Sequence, residues 1–368
     1  MIQSKFRNIA FLLTSIFCIN IVCIAQEKSE ADFYEMKLEE AMNLSLNKAS
    51  VIGLPHPHTK GEFHIQYNWM FMPMSSNYDG TTKVSIDEVL NDYGFGMGPM
   101  NMRMAPTHMT MNMHMMMFMY SPSDHITFMA MTNYQQLKMD IQTLNMTGAG
   151  MNFSTESNSI GDSRLMANYA VRNKDVSSVL LDAGVSIPTG SIAQMYKTPM
   201  SDGSEIQLAY PMQTGSGTFD PIIEAVYLGS TIKASWGVAG RTLLRLYNNS
   251  HDYKLGNRYT VMAGAGYNWK DWVATTARLD FNNNGNISGS DPNMNPMMTP
   301  TARTDLRAGT RIDGSIGLVF EVPKGNLQDL ALIVDYRYPL YQNLAGPQMG
   351  LDYHLSISLQ YIHGKKIH

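Results

Sequence analysis

Apolar and polar side chains alternate with a period of two in the segment GLDYHLSISLQYIHG, residues 350–364. Successive side chains of an extended strand point to opposite faces, so this pattern predicts a strand with one apolar and one polar face. The apolar face consists of Leu351, Tyr353, Leu355, Ile357, Leu359 and Tyr361. Tyrosines at both ends of that face are typical of the aromatic girdles of membrane barrels.

The same alternation recurs along the chain in segments of about 10–15 residues, and a membrane-spanning strand needs about 9–11 residues. The segments are 62–72, 162–172, 177–187, 219–229, 231–245, 258–269, 271–281, 313–322 and 329–341. We therefore predict an all-β fold: a transmembrane antiparallel β-barrel of the outer-membrane type, with about 12 strands and a range of 10–14. A soluble sandwich or lipocalin-like barrel has the same period, but apolar faces that end in Tyr and Trp favour the membrane.

The beginning of the chain, MIQSKFRNIAFLLTSIFCINIVCIAQ, combines Lys5 and Arg7 with an apolar run. This pattern predicts a secretory signal peptide at residues 1–25. Residues 26–55 are expected to form a periplasmic N-terminal segment, partly helical or disordered, with a tail favoured over a small plug. Residues 56–368 form the predicted barrel, in the outer membrane of a Gram-negative bacterium. The longest connections, 74–106 and 282–312, are expected to be extracellular loops.

Composition narrows the partners and the chemistry. Charged residues make up 16% of the chain, the formal net charge is −4 and no basic run occurs, which argues against a nucleic acid. Both cysteines, Cys18 and Cys23, lie in the predicted signal peptide, so the mature chain has neither disulfides nor thiolate metal ligands. The expected partners are outer-membrane lipid and a small solute.

The polar faces of the predicted strands would line the lumen of the barrel. The expected lining residues are His64, Gln66, Asn68, Met70, Met72, His125, Met129, Met131, Arg164, Met166, Asp335, Arg337 and His354. Twenty of the 31 methionines lie between residues 70 and 166, so the enrichment in methionine is local.

The stretch PTHMTMNMHMMMFMYSPSDHITFMAM, residues 106–131, has methionine at every odd position from 109 to 119. Thr110, Asn112 and His114 occupy even positions and predict that the even side faces the lumen. A one-residue β-bulge near Met116 would exchange the two faces part-way along the strand. The pattern therefore leaves open which face the methionines occupy.

Methionine sulfur is a soft ligand that suits Cu⁺, and imidazole also binds copper. Residues two apart on a strand are about 6.8 Å apart, so the ligands of one ion must come from neighbouring strands. The candidate soft-metal set is His64, Met70, Met72, His114, His125, Met129 and Met131, with His56 and His58 of the HPH motif as further donors. An adaptable apolar lining without metal is the favoured interpretation of the same methionines.

The segment DFNNNGNISGSD, residues 280–291, has oxygen donors at the positions of a calcium loop. The candidate ligands are Asp280, Asn282, Asn284, Asn286, Ser288 and Asp291. Two amides replace acids and no flanking helices are predicted, so an ordinary Asn- and Gly-rich turn is favoured. No cofactor is required by the sequence, and Ca²⁺ and Cu⁺ are the candidate ions.

Several segments resemble outer-membrane transporters grouped under the name "MetA-pathway of phenol degradation". The similar segments are HPHTKGEFHIQYNWMFMPM, the methionine-rich stretch through TNY, IGDSRLMANY, DAGVSIPTGSI and NISGSDPNMNPMMTPTARTD. They cover the chain from about residue 56 onward. The resemblance implies an outer-membrane barrel and, by its name, passage of aromatic compounds. The chain departs from a common porin pattern by ending in YIHGKKIH.

Hydrolase chemistry has one candidate pair, His354 and Ser356, on one face of the last predicted strand. Such pairs arise readily on polar faces, and the sequence has no nucleophile elbow, so no enzyme activity is predicted.

The predicted function is a monomeric or weakly oligomeric outer-membrane channel for small hydrophobic, including aromatic, solutes. The first alternative is a barrel that binds or exports copper or silver; the second is a lipid hydrolase or a surface protein without transport.

Overall fold

Nearly all regular secondary structure is β-strand, in a computed structural model that describes residues 54–93, 104–144, 150–174, 176–199, 201–323 and 327–364. The elements are β1 (Phe63–Met74), β2 (Ser76–Gly80), β3 (Thr82–Val84), α1 (Ile86–Asn91), β4 (Met104–Ser123), β5 (Ile126–Leu144), β6 (Gly150–Ile160), β7 (Ser163–Lys174), β8 (Ser177–Ile187), β9 (Met195–Lys197), β10 (Glu205–Gln207), β11 (Asp220–Ser230), β12 (Ala234–Leu243), β13 (Tyr253–Lys254), β14 (Arg258–Lys270), β15 (Val273–Asn284), β16 (Ser288–Gly289), β17 (Gly309–Glu321), β18 (Leu330–Gly350) and β19 (His354–His363), with 3-10 turns at Tyr210–Met212 and Pro300–Ala302. Within the described ranges, no helix is both long and apolar enough to span a membrane. The predicted signal peptide and residues 26–53 of the predicted N-terminal segment lie outside the described residues.

Twelve of these strands form one closed antiparallel barrel. Its order is β1, β4, β5, β7, β8, β11, β12, β14, β15, β17, β18 and β19, and β19 pairs with β1 to close it. The predicted fold class and the preferred strand number are confirmed. Closure pairs every barrel strand on both sides, which is what allows a β-structure to exist in hydrocarbon.

The connections differ between the two ends of the barrel. At the short-turn end, strands are joined through residues 124–125, 175–176, 231–233, 271–272 and 322–329. At the long-loop end, the connections include 75–103, 145–162, 188–219, 244–257 and 285–308. The sequence predicted long loops near 74–106 and 282–312, and the structure adds 188–219, which contains the two small strands β9 and β10.

The barrel has large apolar side chains outside and charged side chains inside. Exposed outer residues include Phe128, Leu165, Ile223, Trp236, Leu279, Ile316 and Leu359. Buried inner residues include Asp182, Glu224, Asp280, Asp313, Ser358 and Gln360. A water-soluble barrel would have the opposite distribution, whereas an outer apolar band with a polar interior is typical of outer-membrane barrels.

The loops pack over the barrel at the long-loop end. Tyr210, Tyr253, Ile287, Met294 and Ala302, from three different loops, form one buried apolar cluster. Leu208 and Met212 of the 188–219 loop also pack against methionines of β4 and β5. The long loops therefore cover the upper opening of the lumen.

Candidate functional site

The register of β4 decides which face its methionines occupy. Met119 lies opposite His64 of β1, and directly opposed residues of an antiparallel pair share a face. Met119 and His64 are 7% and 2% exposed, whereas the adjacent Phe118 and Tyr120 are 41% and 50% exposed. The pairing continues without a bulge from Met109 to Tyr120. All odd-numbered methionines of β4 therefore face the lumen.

Thr110, Asn112 and His114 consequently face outward, so the expectation drawn from their polarity is wrong. The reason is the length of β4 and β5, which have 20 and 19 residues, about twice what a membrane strand needs. Their parts near the long-loop end extend past the apolar band, where outward polar residues meet water. In that part of β4, Thr110 lies opposite Lys138. The distance from His114 Nδ1 to the hydroxyl oxygen of Tyr67 is 2.7 Å.

Methionines on four neighbouring strands form one wall of the lumen, which we call the methionine track. Its thirteen members are Met70, Met72 and Met74 of β1, Met109, Met111, Met113, Met115, Met117 and Met119 of β4, Met129, Met131 and Met139 of β5, and Met166 of β7. Directly opposed residues place their Cα atoms about 4.5–5.5 Å apart, so sulfurs from adjacent strands can converge. The methionine sulfurs of neighbouring strands could therefore bind one ion together, which the sulfurs of a single strand could not do.

The track runs along most of the barrel wall. At the long-loop end Met74, Met109 and Met139 lie side by side, and at the short-turn end Met119, Met129 and Met166 do so. Six rows of residues at a spacing of about 6.8 Å give a length of about 34 Å. The rows of Met115, Met117 and Met119 lie beside the apolar band, and the remaining rows extend past it with the long ends of β4 and β5.

The opposite wall of the lumen is ionic. Its pairs are Arg241–Glu224 at 2.8 Å, Arg278–Asp280 at 2.8 Å, Arg311–Asp313 at 2.8 Å, Arg337–Asp280 at 3.2 Å, and Arg245 with Asp220. These carboxylates are buried, and arginine pairing is what makes a buried carboxylate tolerable. The lumen therefore has a soft apolar wall and a self-paired ionic wall.

Most residues predicted to line the lumen lie on its inner face. The structure places His64, Gln66, Asn68, Met70, Met72, Met129, Met131, Arg164, Met166, Asp335, Arg337 and His354 there. His125 is different: it is exposed in the turn between β4 and β5, with its ring 6.4 Å from that of Tyr169. The alternation was extended one residue too far, because β5 begins at Ile126.

The predicted soft-metal set is brought together only in part. His114 lies outside and His125 lies in the turn, which leaves His64, Met70, Met72, Met129 and Met131 in the lumen. The β1 and β5 members of that group are separated by β4. The β4 methionines, which the sequence pattern did not assign to a face, connect them.

The candidate calcium ligands are dispersed in the structure. Asp280, Asn282 and Asn284 continue β15 as an extended strand, so they do not curl around one point. Asp280 contacts two arginines, whereas Asp291 contacts His251 Nδ1 at 2.6 Å and Gln207. Asn286 accepts hydrogen bonds from two backbone N–H groups, and Ser288 is exposed in β16. The side-chain oxygens of the candidate calcium ligands therefore contact different partners.

The segment that precedes β1 enters the lumen from the short-turn end. Leu54 is buried in a cluster with Ala170, Leu180, Val226 and Leu228. Gly237 makes room for it, because a Cβ at that position would lie 2.8 Å from Leu54 Cδ1. The preference for a tail over a small plug concerned the segment that ends at residue 55, most of which lies outside the described residues. Residues 54–62, which we call the plug, pack inside the barrel.

We expect Leu54→Asp to release this plug and to raise the conductance of the barrel. A buried leucine stabilises its site by about 1.5–3 kcal/mol, and a carboxylate in the same apolar cluster adds a further desolvation penalty. Single-channel recording in planar bilayers measures the effect. Lys60→Ser, which changes an exposed side chain of the same segment, is the control. Equal conductance of Leu54→Asp and the wild type would contradict the docking.

Three histidines meet where this segment contacts the barrel wall. The His56 and His58 ring centroids are 4.4 Å apart, and the His64 ring lies 6.2 Å and 5.8 Å from them. His58 Nδ1 lies 2.6 Å from Glu62 Oε1. Burial, followed by the charges of His58 and His64, lowers the pKa of His56 well below its usual value. Burial tends to raise the pKa of Glu62, but its bonds to His58 and Thr59 dominate and lower that pKa to about 2.

The sequence contained only part of the signal for this cluster. The HPH motif identified His56 and His58 as donors, and alternation placed His64 in the lumen. Their convergence depends on a turn at residues 59–62, where the N–H of Gly61 donates to Ser121 O at 2.7 Å and the N–H of Glu62 donates to Thr59 O at 3.0 Å. No spacing rule predicts that turn.

A cavity of about 330 Å³ lies at the long-loop end, next to the upper end of the methionine track. Its walls are largely apolar and come from β4, β5, β6 and two loops; they include Met139, Ile141, Phe153, Ile206, Met212 and Met298. Pockets of a few hundred Å³ with apolar walls are typical of small-molecule sites.

The candidate hydrolase pair does not form a catalytic arrangement. His354 and Ser356 are both buried on the lumen face of β19, away from the outer surface that lipids would contact. His354 lies opposite Arg337, and its Nε2 has no hydrogen-bond partner among the described residues. A serine nucleophile needs a base within hydrogen-bond reach.

Comparison with known proteins supports the fold. No protein-family model matches the chain, and no curated protein matches it. An outer-membrane channel from Pseudomonas putida F1 is similar, with a TM-score of 0.53 and 13% identity over 85% of this chain and 97% of that one. A mutant of the TodX monoaromatic hydrocarbon channel gives a TM-score of 0.43 and 8% identity over 86% and 93%, too distant to support an argument. This chain has the fold of an outer-membrane channel. The resemblance to the MetA-pathway family stays a prediction.

Proposed function

We propose that this protein is an outer-membrane channel that passes a soft monovalent cation, Cu⁺ or Ag⁺, along the methionine track. The observation that supports it is the register of β1, β4, β5 and β7, which aligns thirteen methionines on one face of the lumen. Thioethers suit soft ions. Conduction needs several successive weak sites rather than one strong site, and rows at about 6.8 Å supply them.

The location in the outer membrane is supported by the exposed apolar band. Short turns at one end and long loops at the other are typical of barrels whose short turns face the periplasm. In that orientation the plug and the three histidines lie at the periplasmic opening, and the loop-covered cavity lies outside the cell.

Ion flux into sealed proteoliposomes tests the proposal. We expect Ag⁺ to enter faster than K⁺ through the wild-type barrel, because only the soft ion gains ligands along the track. An entrapped silver indicator and an entrapped potassium indicator measure the two rates. Equal rates for Ag⁺ and K⁺, or no Ag⁺ flux above protein-free vesicles, would contradict the proposal.

A second candidate function is passage of a small hydrophobic, including aromatic, solute, which the 330 Å³ cavity favours. We expect Ala209→Trp, which places a large side chain in this cavity, to weaken binding of a single-ring aromatic by about tenfold, or ~1.4 kcal/mol. Calorimetry with toluene measures the change. Ala193→Trp, at an exposed position of the same loop, is the control. Unchanged toluene affinity in Ala209→Trp, or no binding by the wild type, would count against this candidate.

A further inference from the structure

Three imidazoles of the plug and the barrel wall are within reach of a single ion. One ring nitrogen from each of His56, His58 and His64 lies within 4.8 Å of the other two. Three histidines bound to a tetrahedral ion at about 2.0–2.1 Å have nitrogens about 3.4 Å apart, so small side-chain rotations would complete the contact. Two of these residues belong to the plug and the third belongs to β1.

His64 is the most informative of the three residues. Its side chain is buried, and neither of its ring nitrogens has a hydrogen-bond partner among the described residues. Leaving a buried polar group without a hydrogen-bond partner destabilises the folded protein. Such a group is expected where it serves a ligand, and the rings of His56 and His58 lie 6.2 Å and 5.8 Å from it.

The other two histidines are already oriented as metal ligands are. His58 Nδ1 is held by Glu62 at 2.6 Å, and His56 Nδ1 lies 3.4 Å from the backbone oxygen of Leu54. Glu62 is itself fixed by the N–H of Thr59 at 3.0 Å and its hydroxyl at 3.1 Å. A carboxylate or carbonyl on one ring nitrogen leaves the other free to bind and fixes the tautomer, which is the usual support of a histidine ligand.

The charge of the cluster also fits a cation. Glu62 is buried, and the nearest groups to its carboxylate within the cluster are histidines and Thr59. Its carboxylate lies 2.6 Å from His58 Nδ1 and so places an acidic charge beside the three imidazoles. A divalent ion at the three histidines would offset that charge.

We infer that His56, His58 and His64 form a site for a nitrogen-preferring transition-metal ion such as Zn²⁺, which ties the N-terminal plug to the barrel wall. Imidazole suits this class of ion, and three protein ligands leave a fourth position for water. The site is separate from the methionine track in its ligands. It therefore does not depend on which solute passes through the lumen.

Metal titration of the purified mature protein, prepared without a histidine tag, tests the inference. We expect one Co²⁺ per chain with the visible absorption of four-coordinate cobalt, displaced by Zn²⁺. His56→Gln and His64→Gln should each weaken binding by at least about tenfold, since even supporting contacts of a ligand are worth 10–100-fold in affinity. His125→Gln, at an exposed turn of the same end, should bind as the wild type does. Heat-modifiable migration in gels verifies that each variant is folded.

Hydrogen exchange of residues 54–62 distinguishes an ion that links the plug to the barrel wall from an ion that is bound by the plug alone. Zn²⁺ should slow exchange there in the wild type and leave it unchanged in His64→Gln, which lacks the wall ligand but retains both plug histidines. Slowing that persists in His64→Gln, or Co²⁺ affinity that is the same in His64→Gln and the wild type, would overturn the inference. Replacing Met119, Met129 and Met166 by leucine should not alter Co²⁺ binding, because thioethers bind this ion poorly; a loss of Co²⁺ there would also overturn it.

Discussion

Replacing Met119, Met129 and Met166 together by leucine should lower Ag⁺ flux by at least about tenfold and leave the barrel folded. These residues form the row of the track nearest the plug, so an ion that moves along the whole track must pass them. Leucine keeps the volume and the apolar character but removes the sulfur, and such exchanges usually cost less than about 1.5 kcal/mol of stability. Loss of affinity at a metal ligand is at least the 10–100-fold seen for its supporting contacts. Proteoliposome flux measures the change.

Met116→Leu is the matched control, because Met116 lies opposite Tyr67 on the outer face of the same strand. It should leave Ag⁺ flux unchanged. The triple variant also separates the two candidate functions, since leucine lines a path for an apolar solute at least as well as methionine does. Unchanged Ag⁺ flux in the triple variant would refute the soft-ion proposal while leaving the histidine site untouched.

Removing the carboxylate of Asp220 should destabilise the barrel by about 3–5 kcal/mol. Asp220 is fully buried and pairs with Arg245, whose side chain is 10% exposed. It also accepts hydrogen bonds from the hydroxyls of Thr218 at 2.7 Å and Ser216 at 3.1 Å. Asp220→Ala leaves the guanidinium without its partner in the lumen. Urea unfolding in micelles, followed by fluorescence of the four tryptophans, measures the free energy of unfolding.

The double variant Asp220→Leu with Arg245→Met is the control for this prediction. It removes both charges, and an apolar pair of similar volume often replaces a buried ion pair at little cost in stability. We expect it to recover most of the stability that Asp220→Ala loses. A loss below about 1 kcal/mol in Asp220→Ala would show that water reaches this pair and that the ionic wall is more hydrated than its burial indicates.

Three features lie in sequence along the lumen. The apolar cavity adjoins Met139 and Met212 at the long-loop end, the methionine track follows, and His64 lies beside Met119 at the short-turn end. Soft donors therefore extend from one opening to the other on a single side of the barrel. The charged groups of the ionic wall opposite are paired with each other.

The fold could be predicted from the sequence because lipid imposes a simple rule on strands. Leu355, Ile357 and Leu359 face outward for the same reason that Ser356 and Ser358 face inward: hydrocarbon lies on one side and a polar interior on the other. A period of two then identifies each strand without knowledge of its neighbours. That is why the class, the preferred number of strands and most lumen residues could be predicted.

The same rule failed where a strand leaves the membrane. Thr110, Asn112 and His114 are polar because water surrounds that part of β4, not because they face the lumen. Neither face of such a strand meets lipid, so the alternation of polar and apolar residues does not identify which face lines the lumen. Only the pairing of Met113 with Met70, and of Met119 with His64, assigns the faces.

By itself, the sequence determined that the chain forms extended segments with one face for lipid and one for a polar interior, because that alternation is a property of each segment alone. It also supplied the unusual methionines and the HPH motif. Only the tertiary structure decided that the methionines share one wall, that the calcium pattern is dispersed along a strand, and that His56 and His58 meet His64. Those facts depend on register and on the path of the plug, which are set by contacts between residues far apart in the chain and leave no period in the sequence.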